Sequence, residues 1–169
     1  VGDMSNKRPF HKWGFCQITP EYYKRYKLQV DDIIVTRTAS LGLNSIIRKE
    51  ISGVYNNGLI RLKIDRKSAL PLFIYSHLQS KTYEVYINRI SGDSSTRPNM
   101  QINYLLDYKI TLPPLNIQAS FCETISSIFD TIDSFIEESN ILSQLRSTLL
   151  PRLISGDLEI IQPKMRKEV

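Results

Sequence analysis

The sequence predicts an α+β protein, a small mixed domain followed by one long C-terminal helix that forms a coiled coil. Three observations predict it. In the first 115 residues short β-branched or alternating runs fall between turn signals, with helical stretches among them. From Pro113 to Leu158 the chain carries a single apolar stripe at helical spacing. Charge divides at the same place: residues 1–115 hold 17 Lys+Arg against 9 Asp+Glu, a net of +8, and residues 116–169 hold 5 against 8, a net of −3. Such asymmetry suggests a polyanion as the partner of the first part and protein as the partner of the second. A merely basic surface accounts for the charge equally well. The expected division is a basic domain over 1–115, a long helix over 116–158 and a tail over 159–169.

A hydrophobic fraction of 41% with nine tyrosines excludes disorder as the general description. Nothing approaches the ~20 apolar residues of a membrane span, and no apolar run near Val1 resembles a signal peptide. Cys16 and Cys122 stand far apart with no Cys-x-x-Cys, which indicates neither a zinc site nor a disulfide framework. A reducing cytoplasm is the expected location.

Along the chain, Thr19-Pro20-Glu21 reads as a helix start, with Thr19 as N-cap, Pro20 at the first helical position and acidic Glu21 in the first turn. The helix would hold Tyr22, Tyr23 and Tyr26, and Lys24, Arg25 and Lys27 form a basic cluster that suits phosphates or plain solvation. Asp31-Asp32 turn the chain into a buried β-branched strand, Ile33 to Thr36. Arg37 to Gly42 is a polar turn, Ser45 to Ile47 a second short strand, and Asn57-Gly58 another turn signal. Leu59 to Ile64 alternates apolar with basic residues, the pattern of a strand with one buried and one solvated face. Leu70 to Lys81 reads as a helix extended through Arg89, Ser91 to Asn99 as a polar loop, and Tyr108 to Leu112 as a last strand.

After the double proline Pro113-Pro114, Asn116 is suited to cap a helix. Phe121, Ile125, Ile128, Ile132 and Phe135 then follow in steps of four, three, four and three, and Leu142, Leu145 and Leu149 continue them beyond a polar break at Ser139-Asn140, with Pro151 marking the end. These eight residues form one seam. Ile117 to Leu150 is 34 residues, roughly 50 Å of helix. No second helix of comparable length is predicted in this chain, so the one that covers the seam comes from another chain.

Catalytic chemistry finds little support. His11 and His77 are the two histidines, His77 in an apolar helix where a structural role is the simpler one, and there is no Gly-rich phosphate loop, metal-ligand cluster or Ser/His/Asp arrangement. DNA contact finds more. Arg37-Thr38-Ala39-Ser40 and Ser94-Ser95-Thr96-Arg97-Pro98-Asn99 both join arginine to short hydroxyl or amide side chains, with Arg89 and Gln101 beside the second. Arginine pairs with guanine or phosphate, asparagine and glutamine with adenine, and serine and threonine with either. Arg37, Thr38, Ser40, Arg89, Ser94, Ser95, Thr96, Arg97, Asn99 and Gln101 are the candidate contacts, set against ordinary surface loops of the same composition.

Val30 to Thr38 (VDDIIVTRT) resembles the "GDI-hydrophobic-(T)R" strand of the DNA-specificity subunits of type I restriction–modification systems. Ile110 to Gln118 (ITLPPLNIQ) is similar to that family's passage into its conserved helix, and Leu145 to Leu158 (LRSTLLPRLISGDL) to its C-terminal conserved region. Ile117 stands where glutamate is common in the family. The resemblance covers roughly residues 28–160 and implies a non-catalytic subunit that reads half of a bipartite double-stranded DNA target. It further implies docking with DNA adenine methyltransferase subunits and a restriction subunit, and no cofactor in this chain, S-adenosylmethionine being bound by the partner methyltransferase. Family members carry two recognition domains, whose conserved helices pack antiparallel. This chain carries one of each, which fits either the second half of a longer protein or a half-subunit that forms a homodimer through an antiparallel coiled coil, with an inverted-repeat target. The alternative is an adaptor that dimerises through the helix without sequence-specific DNA binding.

Overall fold

The computed structural model describes residues 2–5, 8–91 and 100–157. Along these residues the elements are α1 (Gly2–Ser5), a 3-10 turn (Phe10–Lys12), α2 (Pro20–Tyr26), β1 (Ile33–Thr36), β2 (Asn44–Ile46), β3 (Leu59–Leu62), α3 (Pro71–Leu78), α4 (Lys81–Ser91), α5 (Ile102–Leu106) and α6 (Leu115–Ile154). This is an α+β architecture. The chain divides into two compact units, Val1–Thr124 and Ile125–Val169.

The first unit is built on a three-stranded antiparallel sheet in the order β2-β1-β3. Ile33 lies opposite Ile46 and Leu62, and Val35 opposite Asn44 and Ile60. All four side chains of the central strand are fully buried, which requires cover on both faces. Ile33 and Val35 join Ile60, Ile74, Leu78 and Ile87 beneath α3 and α4. Ile34 faces the other way, into Met4, Leu28, Ile47 and Leu59, closed over by Phe10 and Trp13.

The second cluster corrects the alternation expected of Leu59 to Ile64. Leu59 and Ile60 are both buried and the strand stops at Leu62, because the N-terminal segment covers the face that the pattern leaves to water. Arg61 shares that face and is held at its edge. Its guanidinium lies 5.0 Å from the Tyr55 ring centre, 3.7 Å from Asp32 and donates to the Lys27 carbonyl at 3.1 Å.

The expected start of α2 is found: the Thr19 hydroxyl accepts from the Tyr22 N–H at 3.2 Å, with Pro20 in the first turn. The helix expected over Leu70 to Arg89 is instead two, α3 and α4. The Ser80 hydroxyl accepts from the Tyr83 N–H at 3.3 Å, a capping bond that starts a second helix. Residues 108–112 form no strand. Tyr108 packs its ring on Tyr83 at 5.2 Å and Tyr86 at 4.9 Å, and its hydroxyl lies 3.3 Å from Nδ1 of His77. Side-chain packing, including the contact with His77, holds this segment without a ladder.

Two helix boundaries also differ. Asn116 is inside α6 rather than its cap, since the helix begins at Leu115 and the Pro114 carbonyl already accepts from Ile117 and Gln118. Pro151 lies inside the helix and does not end it. The helix runs to Ile154 and gives way at Gly156, whose φ of +79° is the left-handed stop that glycine permits. Its 40 residues correspond to about 60 Å of helix axis.

Gln118 is fully buried in the first turns of α6. Its Oε1 accepts from the Leu70 N–H at 2.9 Å, and its Nε2 donates to the carbonyls of Pro113 at 2.8 Å and Ser68 at 3.4 Å. Phe121 adds an edge-on contact to Phe73 at 5.6 Å. In the second unit Ile128, Ile132, Phe135, Leu142, Leu145 and Leu149 are between 40% and 65% exposed. No helix of the described residues is long and apolar enough to cross a membrane.

Replacing Gln118 by Leu leaves the half-buried Leu70 N–H without its acceptor. Such an orphan costs about 1–3 kcal/mol, so Gln118→Leu is expected to lower unfolding free energy by that amount in urea titration. A loss below ~0.5 kcal/mol, the scatter of ordinary surface changes, contradicts the bracing role.

Candidate nucleic-acid interface

At the C-terminal end of β1 the chain turns outward at Arg37, and three separate segments meet there. The Arg37 N–H donates to the Gly58 carbonyl at 3.0 Å, and the Arg37 carbonyl accepts from the Met100 N–H at 2.8 Å. The loop after β1 is therefore tied to the turn before β3 and to the residues that precede α5.

The loop's shape is imposed from beneath. Thr36 is fully buried, and its hydroxyl donates to the Ser40 carbonyl. The Thr36 carbonyl accepts from Gly42 N–H at 2.9 Å, and the Thr36 N–H donates to the Leu43 carbonyl at 2.8 Å. Closing six residues this tightly needs left-handed backbone at Ala39 (φ 63°) and Gly42 (φ 75°). At Gly42 space is the second constraint, since an added Cβ would sit 2.6 Å from Cγ1 of Ile87 on α4. The Ser5 hydroxyl donates to the Ser40 hydroxyl at 3.2 Å from the N-terminal side. Arg37 and Thr38 are left half-buried and Ser40 exposed.

Of the remaining sequence-predicted contacts, Arg89 is exposed in the last turn of α4, its guanidinium 5.5 Å from the Tyr86 ring centre. Tyr86 in turn donates its hydroxyl to the Tyr104 carbonyl at 2.5 Å on α5. Gln101 is exposed and adjoins Met100, so the Met100–Arg37 bond brings it beside the first loop. Ser94, Ser95, Thr96, Arg97 and Asn99 lie outside the described residues. The structure thus gathers Arg37, Thr38, Ser40 and Gln101 at one end of the sheet and puts Arg89 on the helix that packs beneath Gly42.

A second basic surface lies on α2, where Lys24, Arg25 and Lys27 are exposed. Arg25 is 5.6 Å from the Tyr26 ring centre and Lys27 5.9 Å from that of Tyr23. Tyr26 makes an edge contact with Tyr55 at 5.4 Å, which joins α2 to the turn before β3. Beside it, a cleft of about 610 Å³ is lined by Tyr23, Lys27, Gln29, Glu50 and Ser52 among others. The acids at the other end of β1 are countered: Asp31 pairs with Arg66, and Asp32 with Arg61 while it accepts from the Gln29 N–H at 2.8 Å.

The groups with shifted ionisation are structural. Burial pushes the Tyr83 hydroxyl above the usual tyrosine range, and Tyr108 and Tyr86 add to it. Burial also raises the Cys122 thiol, against a backbone hydrogen bond at Phe73 that lowers it. A raised thiol stays protonated and is a poor nucleophile. Among the described residues no three His, Cys, Asp or Glu side chains are grouped to hold a metal ion.

Residues 6–147 match the family described as the type I restriction modification DNA specificity domain. The chain belongs to that family. The specificity subunit of the EcoBI type I restriction enzyme of Escherichia coli is similar to it, with 23% identity over 140 residues, covering 80% of this chain and 29% of that protein. The chain therefore spans less than a third of that relative's length. In this specificity domain the matched region contains all of β1, the Arg37 loop and most of α6.

The backbone at Gly42 makes a direct test of how the loop is held. Gly42→Ala introduces both left-handed strain and a clash with Ile87, and is expected to destabilise the fold by about 1–3 kcal/mol in thermal or urea unfolding. An unchanged midpoint contradicts a loop fixed by that contact.

Proposed function

We propose that this specificity domain is the DNA-reading component of a type I restriction–modification system and is itself non-catalytic. The family match over residues 6–147 carries the proposal. The geometry supports a particular face for DNA, the C-terminal end of β1. Arg37 and Gln101 supply groups suited to base edges there, Thr38 and Ser40 supply hydroxyls, and Arg89 and the α2 cluster supply cations for phosphates. The loop from Ser94 to Asn99 belongs to the same proposal by its composition.

In this account the domain reads one half of a bipartite duplex target and docks adenine methyltransferase and restriction subunits in the cytoplasm. The methyl transfer and its S-adenosylmethionine belong to the methyltransferase. The exposed stripe on α6 supports pairing with a second, antiparallel conserved helix, supplied by another copy of this chain or by a second half of a longer subunit. A recognition domain over 1–115 with a helical spacer over 116–158 remains the proposed division of labour. The same stripe also favours the adaptor alternative, in which the basic face is incidental, and salt separates the two. Phosphate contacts make affinity fall with salt, at a slope of about −0.9 per phosphate neutralised, and a preference for the target over an unrelated duplex that persists at the higher salt is expected of the DNA-reading domain and not of the adaptor.

Arg37→Ala is expected to weaken binding to the target sequence by on the order of 10-fold, the effect of one lost base-edge pair, with the fold retained in circular dichroism. Equal binding by the variant, measured by fluorescence anisotropy, removes Arg37 from the interface. The pair of changes Ile128→Asp and Ile132→Asp is expected to convert the assembled chain to monomer in sedimentation velocity. An assembly that survives both changes contradicts pairing through the stripe.

A further inference from the structure

We infer that the turn over residues 56–59 is a third base-reading segment, in which the Asn57 carboxamide reads an A·T pair; the inference rests on the DNA-reading function proposed above. Position is the first support. The Leu59 N–H donates to the Asn56 carbonyl at 3.0 Å and closes the turn, and the Arg37 N–H donates to the Gly58 carbonyl at 3.0 Å and fixes the turn beside the Arg37 loop. The turn and the Arg37 loop are therefore neighbours at the same end of the sheet.

The second support is that the fold accounts for one asparagine here and not the other. Asparagine serves turns in two ways, by a side-chain bond to backbone two residues on, or by tolerating left-handed backbone. Asn56 does the first, its Oδ1 accepting from the Gly58 N–H at 2.9 Å. Asn57 does neither. Among the described residues the non-glycine positions with positive φ are Asp31 and Ala39, and the exposed Asn57 amide makes no hydrogen bond there. Its acceptor and its two donors are turned to solvent without a structural task. A carboxamide in that state matches adenine, which offers N6 as donor and N7 as acceptor in the major groove.

The flank of the turn is suited to hold a duplex against it. Tyr55 precedes Asn56 and touches Tyr26 edge-on at 5.4 Å, and the exposed Arg25 lies 5.6 Å from that second ring. Arg25 thus lies one aromatic pair away from the turn, and a cation on that flank suits a positioning contact to phosphate.

Selection from a random duplex library, using the full chain alone and together with its methyltransferase, tests the assignment. Asn57→Ala is expected to lose its preference at one A·T position and to bind the wild-type motif on the order of 10-fold more weakly. Asn57→Asp, which exchanges the amide donor for an acceptor, is expected to move the preference at that position toward C·G. A motif unchanged at every position in Asn57→Ala overturns the role of the turn and leaves the DNA-reading function standing. A wild-type chain that selects no motif in either setting overturns both.

Discussion

Four consecutive residues, Ile33 to Thr36, are removed from water at the centre of a three-stranded sheet, and so narrow a sheet hides its middle strand only if something lies across each face. Complete burial of an aliphatic side chain is worth about 1.5–3 kcal/mol, so Ile33, Ile34 and Val35 together make that cover strongly favourable. On one side α3 and α4 supply it, and on the other the N-terminal segment with Phe10 and Trp13. The positions of both follow from the demands of one short strand.

Thr36 is the polar member of that strand, and its polarity determines what happens beyond it. A buried hydroxyl needs a partner, and Thr36 finds one by folding the chain back so that the Ser40 carbonyl is within reach. That reversal requires left-handed backbone at Ala39 and Gly42 and lays Gly42 against Ile87 with no room for a side chain. The Arg37 loop is consequently tied to its strand by hydrogen bonds and close packing rather than standing free. Groups that recognise bases gain from such preorganisation because little ordering remains to be done on binding.

Much of this was legible in the sequence. The Thr19-Pro20-Glu21 start of α2, the buried run of β1, the Asn57-Gly58 turn and the long helix each carry a local signal, and local signals survive folding. What the sequence concealed depends on contacts between distant segments. The second covered face of the sheet is set by residues near the N-terminus that pack on Leu59, and no pattern within Leu59 to Ile64 announces them. The break between α3 and α4 turns on Ser80, one hydroxyl within an otherwise helical run. Tyr108 to Leu112 had strand composition, but Tyr108 is held by side-chain packing on Tyr83, Tyr86 and His77 rather than by a ladder. Gln118 did leave a trace: it stands three residues before Phe121, in step with the apolar stripe, and a polar residue at a seam position is a sign of a buried amide with partners. Of the candidate contacts, the arginine and hydroxyls of the first loop were readable from composition, whereas their meeting with Gly58 and Met100 was not.

The central claim is that DNA is read at the C-terminal end of β1 by segments that converge there. Amide hydrogen exchange of the full chain, with and without a duplex selected for binding, measures this directly. The account predicts slowed exchange over residues 37–42, 56–59 and 100–101 on addition of the duplex. Slowing confined to residues outside those segments, with exchange in all three unchanged, would contradict it.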